Sequence, residues 1–173
     1  IAQIGAANIA KFEGALIPDD DRKKWLLLYS QSLKSPGRIR FTQAHELGHY
    51  ILHRSLKESF KCSEDDMVNW SKDDKDIEGQ ADLFASFLLM PLDDYRKQIT
   101  TSVDLDLLGH CADRYGVSLT AVILKWLQHT PEKAVLVVSN DGFINWASSS
   151  EAAMSAGAFF RTRTTTIPLP VGS

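Results

Sequence analysis

The sequence predicts a single α+β domain, and three observations carry that expectation. Short apolar runs broken by turn clusters fill the first 40 residues, the apolar period becomes helical from Phe41 onward, and two apolar runs flank Ser139-Asn140-Asp141-Gly142 near the end. With 173 residues, 44% of them hydrophobic, there is material for one proper core and too little for two.

Taken in order, Ile1–Ile4, Phe12–Ile17 and Trp25–Ser30 read as strands, punctuated by Gly14 and the Pro18-Asp19-Asp20-Asp21 turn cluster. Ser35-Pro36-Gly37 reads as a further turn. A helix follows from Phe41 to about His53 with Thr42 as its N-cap, and its apolar residues Phe41, Ala44, Leu47, Gly48, Ile51 and Leu52 predict a largely buried element. Residues 54–75 are polar and acidic, long for a bare connection, and read as a lid or a disordered loop. A second helix spans about Asp76 to Met90, its stripe made by Ala81, Phe84, Ala85, Leu88 and Leu89, and Pro91 stops it. Helices at Asp104–Tyr115 and Ser118–Gln128, capped by Asp104 and Ser118, break at Gly116. Ala134–Val138 and Phe143–Ala147 form a hairpin. After Ser148 the chain is small and polar, with one further strand expected within Arg161–Pro170.

Composition excludes several classes of function. Nineteen Lys+Arg against 22 Asp+Glu give −3, which disfavours a general nucleic-acid binder. Residues 57–82 hold nine acids and four lysines, so an excess of acid is concentrated there. No apolar run is long enough for a spanning helix, and no basic-then-apolar leader is present, although opening on Ile1 leaves open a missing N-terminal piece. Cys62 and Cys111 are too few for a disulfide scaffold and fit reduced thiols in a cytoplasmic protein.

His45-Glu46-Leu47-Gly48-His49 carries the chemistry. Residues i and i+4 of a helix emerge on one face a turn apart, so two imidazoles can reach one ion, and a glutamate next to the first can face a water on that ion. Zinc acidifies such a water and the carboxylate of Glu46 takes its proton, which makes Glu46 the expected catalytic base and His45 and His49 metal ligands. A buried helix also argues against two merely solvated histidines.

A catalytic zinc takes a third protein ligand and keeps an open position. His53 lies eight residues from His45, roughly 12 Å along a helix at 1.5 Å per residue, too far to share one ion; it reads as a helix-end residue near the negative pole of the dipole. Glu78-Gly79-Gln80-Ala81-Asp82 supplies two carboxylates at i and i+4. Glu78 completes a His₂Glu set, and Asp82, beside the apolar stripe of Ala81 and Ala85 where an unpaired carboxylate would be costly, accepts a hydrogen bond from the second nitrogen of a ligand histidine.

The stretches Arg38–His53 and Glu78-Gly79-Gln80-Ala81-Asp82-Leu83-Phe84-Ala85-Ser86-Phe87-Leu88-Leu89-Met90-Pro91 together resemble the ImmA/IrrE metallopeptidases. The second is similar to that family's E-x-E-A-N-x-F-A-A-x-L-L-M-P pattern, except that Gln80 stands where a second glutamate is common. The resemblance is strong over about 38–91 and looser beyond. With the motif it points to a zincin-like fold and a zinc-dependent endopeptidase, the choice between zinc and manganese in the cell staying open. It implies that the chain cuts a helix-turn-helix repressor and so releases stress, phage or mobile-element genes. A metal-bound module that sequesters a repressor without cutting it keeps the same ligands and is the alternative.

Other features carry less. The helix pair at 104–128 has helix-turn-helix looks, but 118–128 offers only Lys125 as a basic residue, so packing is the better reading and no direct nucleic-acid binding is expected. Cys111 reads as a packing residue and Cys62 as a loop cysteine. Tyr95, His110, Tyr115 and His129 remain open as donors to the transition state. A substrate strand could add to an edge of the small sheet, with Trp25–Ser30 the expected edge.

Overall fold

The computed structural model describes residues 1–8, 12–56, 59–62, 72–99, 103–162 and 166–169, with backbone alone at 61, 62 and 72–75. The chain is α+β and divides into two compact units, Ile1–Ser118 and Leu119–Ser173. Among the described residues no helix is long and apolar enough to cross a membrane.

The first unit holds β1 (Gln3–Ala7), β2 (Gly14–Pro18), β3 (Trp25–Ser30), α1 (Pro36–Gly48), β4 (Phe60–Cys62), α2 (Lys72–Leu89), α3 (Leu92–Gln98) and α4 (Leu105–Tyr115). Its sheet has the order β1-β3-β2-β4, β1 parallel to β3 and the other pairs antiparallel. Trp25–Ser30 is therefore central, not the edge expected from the sequence; both its sides are hydrogen-bonded, and the edges fall to β1 and β4. Leu16, Trp25, Leu27 and Phe60 form the core of this layer, with Tyr50 and Ile77 packed on it. Strand β4 lies inside the 54–75 stretch read as a loop, its Phe60 hidden in that core while the polar residues around it mask the signal. The lid reading for the rest of that stretch falls outside the described residues at 57–58 and 63–71.

Helix α1 starts a turn earlier than expected. Ser35 is the N-cap, its side chain accepting from Arg38 N–H, and Pro36 occupies the first helical position, where a missing N–H and a fixed φ cost nothing. Thr42 is buried inside the helix instead of capping it. Beyond Gly48 the helix widens to i→i+5 bonding over His49–His53, a form often met at functional sites. The expected burial holds for Ala44 and Gly48 and fails for Ile51 and Leu52, which are exposed, while His45, Glu46, His49 and His53 are buried. Local patterning yields where a site needs its polar groups inside.

Helices α1 and α2 cross at Gly48. A Cβ on that glycine would stand 3.2 Å from Ala81 Cα and 3.2 Å from Phe84 Cδ1, so hydrogen there allows the two backbones to approach. Pro91 both ends α2 and leads into α3, a short helix that the sequence reading missed. Asp104 caps α4 through Leu107 N–H at 2.8 Å, and Gly116 ends it at φ 60°.

The second unit holds α5 (Leu119–His129), β5 (Val135–Asn140), β6 (Phe143–Ser149), α6 (Glu151–Ser155) and β7 (Ile167–Pro168), with sheet order β5-β6-β7. Asp141 and Gly142 have φ of 49° and 80°, the left-handed pair that closes a two-residue hairpin. The tail strand is real but short, pairing Ile144 with Ile167. Ser150 caps α6, which the small, polar tail had concealed.

Candidate metal centre

The close crossing at Gly48 and Ala81 carries Glu78 and Asp82, three residues before and one after Ala81, onto the histidine face of α1. His45 Nε2 and His49 Nε2 lie 3.0 Å apart, and Glu78 Oε2 is 3.0 Å from the first and 3.2 Å from the second. These three residues form the one group among the described residues whose donors could hold a metal ion. Two ligands each about 2.0–2.1 Å from a tetrahedral ion stand roughly 3.3 Å apart, so this triangle needs little adjustment to receive one. Two imidazoles and a carboxylate also leave one face of the triangle for water or substrate.

Each of the two histidines has a partner on its other side. His45 Nδ1 is 2.9 Å from Asp82 Oδ1. Asp82 makes this contact while its side chain remains 61% exposed, so helix phase brings it there and not the burial beside Ala81 and Ala85 expected from the sequence. His49 Nδ1 is 3.1 Å from His53 Nδ1, and His53 Nε2 is 3.2 Å from Gln80 Oε1. His53 stands at the end of the helical run, as expected, but it is 2% exposed and so is also an inward part of the cluster. Phe60 stacks on His49 with centroids 4.4 Å apart and 14° between planes.

Charge is arranged to suit a cation. Burial would lower the pKa of His45, but the Asp82 and Glu78 carboxylates outweigh it and raise it to about 10. Burial also lowers that of His49, helped by the neighbouring His45 and His53 and opposed by Glu78. Against its own burial, Glu78 is held well below the usual carboxylate range by the two imidazoles. The donors thus favour positive charge among them.

Glu46 is fully buried, and its carboxylate lies over Gly14 of β2. A Cβ at residue 14 would collide with Glu46 Oε1 and stand 2.7 Å from Thr42 Cγ2, so this glycine provides the space that the glutamate occupies. Sequence reasoning had treated Gly14 as strand punctuation only, and no local signal tied it to residue 46.

Among the other candidates, Tyr115 donates its hydroxyl to Asp94 Oδ2 at 2.7 Å, and the same carboxylate takes Arg114 Nε and Nη2 at 3.1 Å each. Tyr95 is buried with its ring 6.0 Å from that of Tyr115. His110 and His129 are exposed on α4 and α5. Cys111 is fully buried and burial raises its thiol pKa, which suits packing and not nucleophilic attack. The side chain of Cys62 lies outside the described residues. Lys125 is 2% exposed and burial lowers its pKa.

The peptidase family described as the IrrE N-terminal-like domain matches residues 3–127. The chain belongs to that family. Metallopeptidase ImmA of Bacillus subtilis (strain 168) is 38% identical over 84 residues, 48% of this chain. The match covers 44% of that relative's length, less than half of it. Within this IrrE N-terminal-like domain, the His45–His49–Glu78 cluster is where the geometry can hold a metal ion.

Proposed function

We propose that this domain is a zinc-dependent endopeptidase with His45, His49 and Glu78 as metal ligands and Glu46 as general base. The observation that carries the reading is the donor triangle of 3.0, 3.0 and 3.2 Å with a buried glutamate next in sequence to its first member. Two neutral imidazoles and one carboxylate suit zinc, with manganese a possible substitute in the cell. When bound, such an ion supplies Lewis acidity to the scissile carbonyl and to water. Glu46 then accepts a proton from the attacking water at a carboxylate oxygen and returns it to the departing amine. Asp82 accepts from His45 Nδ1–H and so holds the Nε2 lone pair toward the ligand cluster.

For substrate we propose an extended segment of a helix-turn-helix repressor, basic where it meets DNA and complementary to the acidic 57–82 region. Edge strand β4, whose Phe60 touches His49, offers backbone groups for strand addition. A direct DNA-reading role for 104–128 loses support, since the basic residue of 118–128, Lys125, is buried. The test is incubation of zinc-loaded wild type and Glu46→Gln with repressors encoded beside its gene and with unrelated unfolded proteins. One defined cut by wild type alone is expected, weakened by salt. Tight binding without any cut would favour sequestration, and comparable digestion of all substrates would remove the dedicated partner.

A further inference from the structure

Two histidines of the cluster orient themselves by different means. His45 meets a carboxylate, whereas His49 meets another histidine, and that histidine meets an amide. Resting on the metal-ligand reading above, we propose that Gln80 and His53 are positioning residues that decide which nitrogen of His49 carries the proton.

The polarity follows from the atoms. Gln80 Oε1 can only accept, so His53 Nε2, 3.2 Å away, carries a hydrogen and donates it. In a neutral imidazole the other nitrogen is then a lone pair. His53 Nδ1 therefore accepts, and the group facing it at 3.1 Å, His49 Nδ1, is the N–H that donates. That leaves His49 Nε2 with its lone pair toward His45 and Glu78, the state a metal ligand requires. His49 is wholly buried and His53 nearly so, which makes an unmatched N–H or lone pair between the two imidazoles costly.

An amide, however, has two ends. If Gln80 presented its NH₂ to His53, every bond in the chain would reverse and a hydrogen would stand on His49 Nε2, where the metal must bind. A carboxylate has no such second state. Gln80 is thus the place where this chain sets, without added charge, the polarity that a glutamate would impose outright.

The experiment uses the full chain. Long-range ¹H–¹⁵N NMR of the zinc-loaded, histidine-labelled wild type should show the His53 proton on Nε2 and the His49 proton on Nδ1. Zinc affinity by chelator competition should fall roughly 10–100-fold in Gln80→Met and in His53→Phe, the range found when such supporting bonds are removed, and Gln80→Glu should keep at least wild-type affinity. A His53 proton on Nδ1 in the wild type overturns the proposal, and so does unchanged affinity in both Gln80→Met and His53→Phe. Because the NMR test needs only wild type, a variant that fails to fold leaves the outcome decided. Glu78→Gln separates the two levels: if it binds zinc as tightly as wild type, the ligand assignment itself fails and the proposal with it. If Glu78→Gln loses zinc while His53 has the wrong proton, the relay alone fails.

Discussion

Gly14 matters to this site because it has no side chain. Any Cβ there enters the space of Glu46 and Thr42, so Gly14→Ala should cost about 1–3 kcal/mol of stability through overpacking. It should also reduce turnover more than zinc affinity, because it displaces the proposed base while the three donors lie on α1 and α2; calorimetry, a zinc titration and a cleavage assay check these parts. Equal loss of affinity and turnover would mean that residue 14 acts only on the fold. Glu78→Gln should weaken zinc binding clearly, since a neutral amide replaces the charged donor, and unchanged affinity would remove Glu78 from the ligand set. At this scale the i, i+4 histidines and the paired acids of α2 were legible, because helix periodicity alone places them on shared faces. His53 and Gln80 were not, since their roles arise from a contact between elements 27 residues apart in sequence. Burial of Asp82 was inferred from its apolar neighbours, yet only helix phase was needed.

The elements explain where sequence patterning succeeded and where it failed. Strands β2 and β3, α2, the α4–α5 pair and the hairpin follow local period and turn chemistry, so they could be read directly. Ser35-Pro36 looks like a turn until a helix is known to follow, and β4 has only three residues, too few for any period to show. The central place of β3 depends on β1 pairing beside it in parallel, a non-local choice that no local pattern encodes. In the second unit, buried Ser150 ties three segments together: its hydroxyl donates to Glu132 O at 2.6 Å and accepts from Ala134 N at 3.1 Å and Ala153 N at 3.2 Å. Ser150→Ala should therefore cost about 2 kcal/mol, the upper range for a lost cap, because the part-buried Glu132 carbonyl and Ala134 N–H lose their partner as well. Urea unfolding measures it, and a change within ±0.5 kcal/mol would show that water replaces the hydroxyl.

Across the whole molecule, metal and proton occupancy should move stability in separable ways. Zinc at about 100 times its Kd adds about 2.7 kcal/mol, which for a chain of this size raises Tm by roughly 5–11 °C; the rise should vanish on chelation. No shift in Tm would mean that folding and metal binding are not linked. At the α3–α4 contact, Asp94 is held below the ordinary carboxylate range by Arg114 and Tyr115, while Tyr115 is pushed up to about 12 by burial and by Asp94. The depressed acid stabilises the fold above its unfolded pKa, near 3.8–3.9, and that contribution fades as pH falls through its lower folded value. The raised phenol does the reverse, contributing below about 10 and losing its effect as pH climbs through about 12. Asp94→Asn should thus bring one tyrosine's phenolate absorbance to lower pH, and an unchanged titration would mean that burial alone sets it. The crossing of α1 and α2 has, finally, a consequence in time. Glu78 follows His49 by 29 residues, so at roughly 5–20 residues per second the two histidines leave the ribosome about 1.5–6 s before their third partner exists. A donor set split in this way cannot hold an ion through all three side chains on the nascent chain: it is assembled only when α2 docks, so the proposed hydrolysis waits on the completion of the fold.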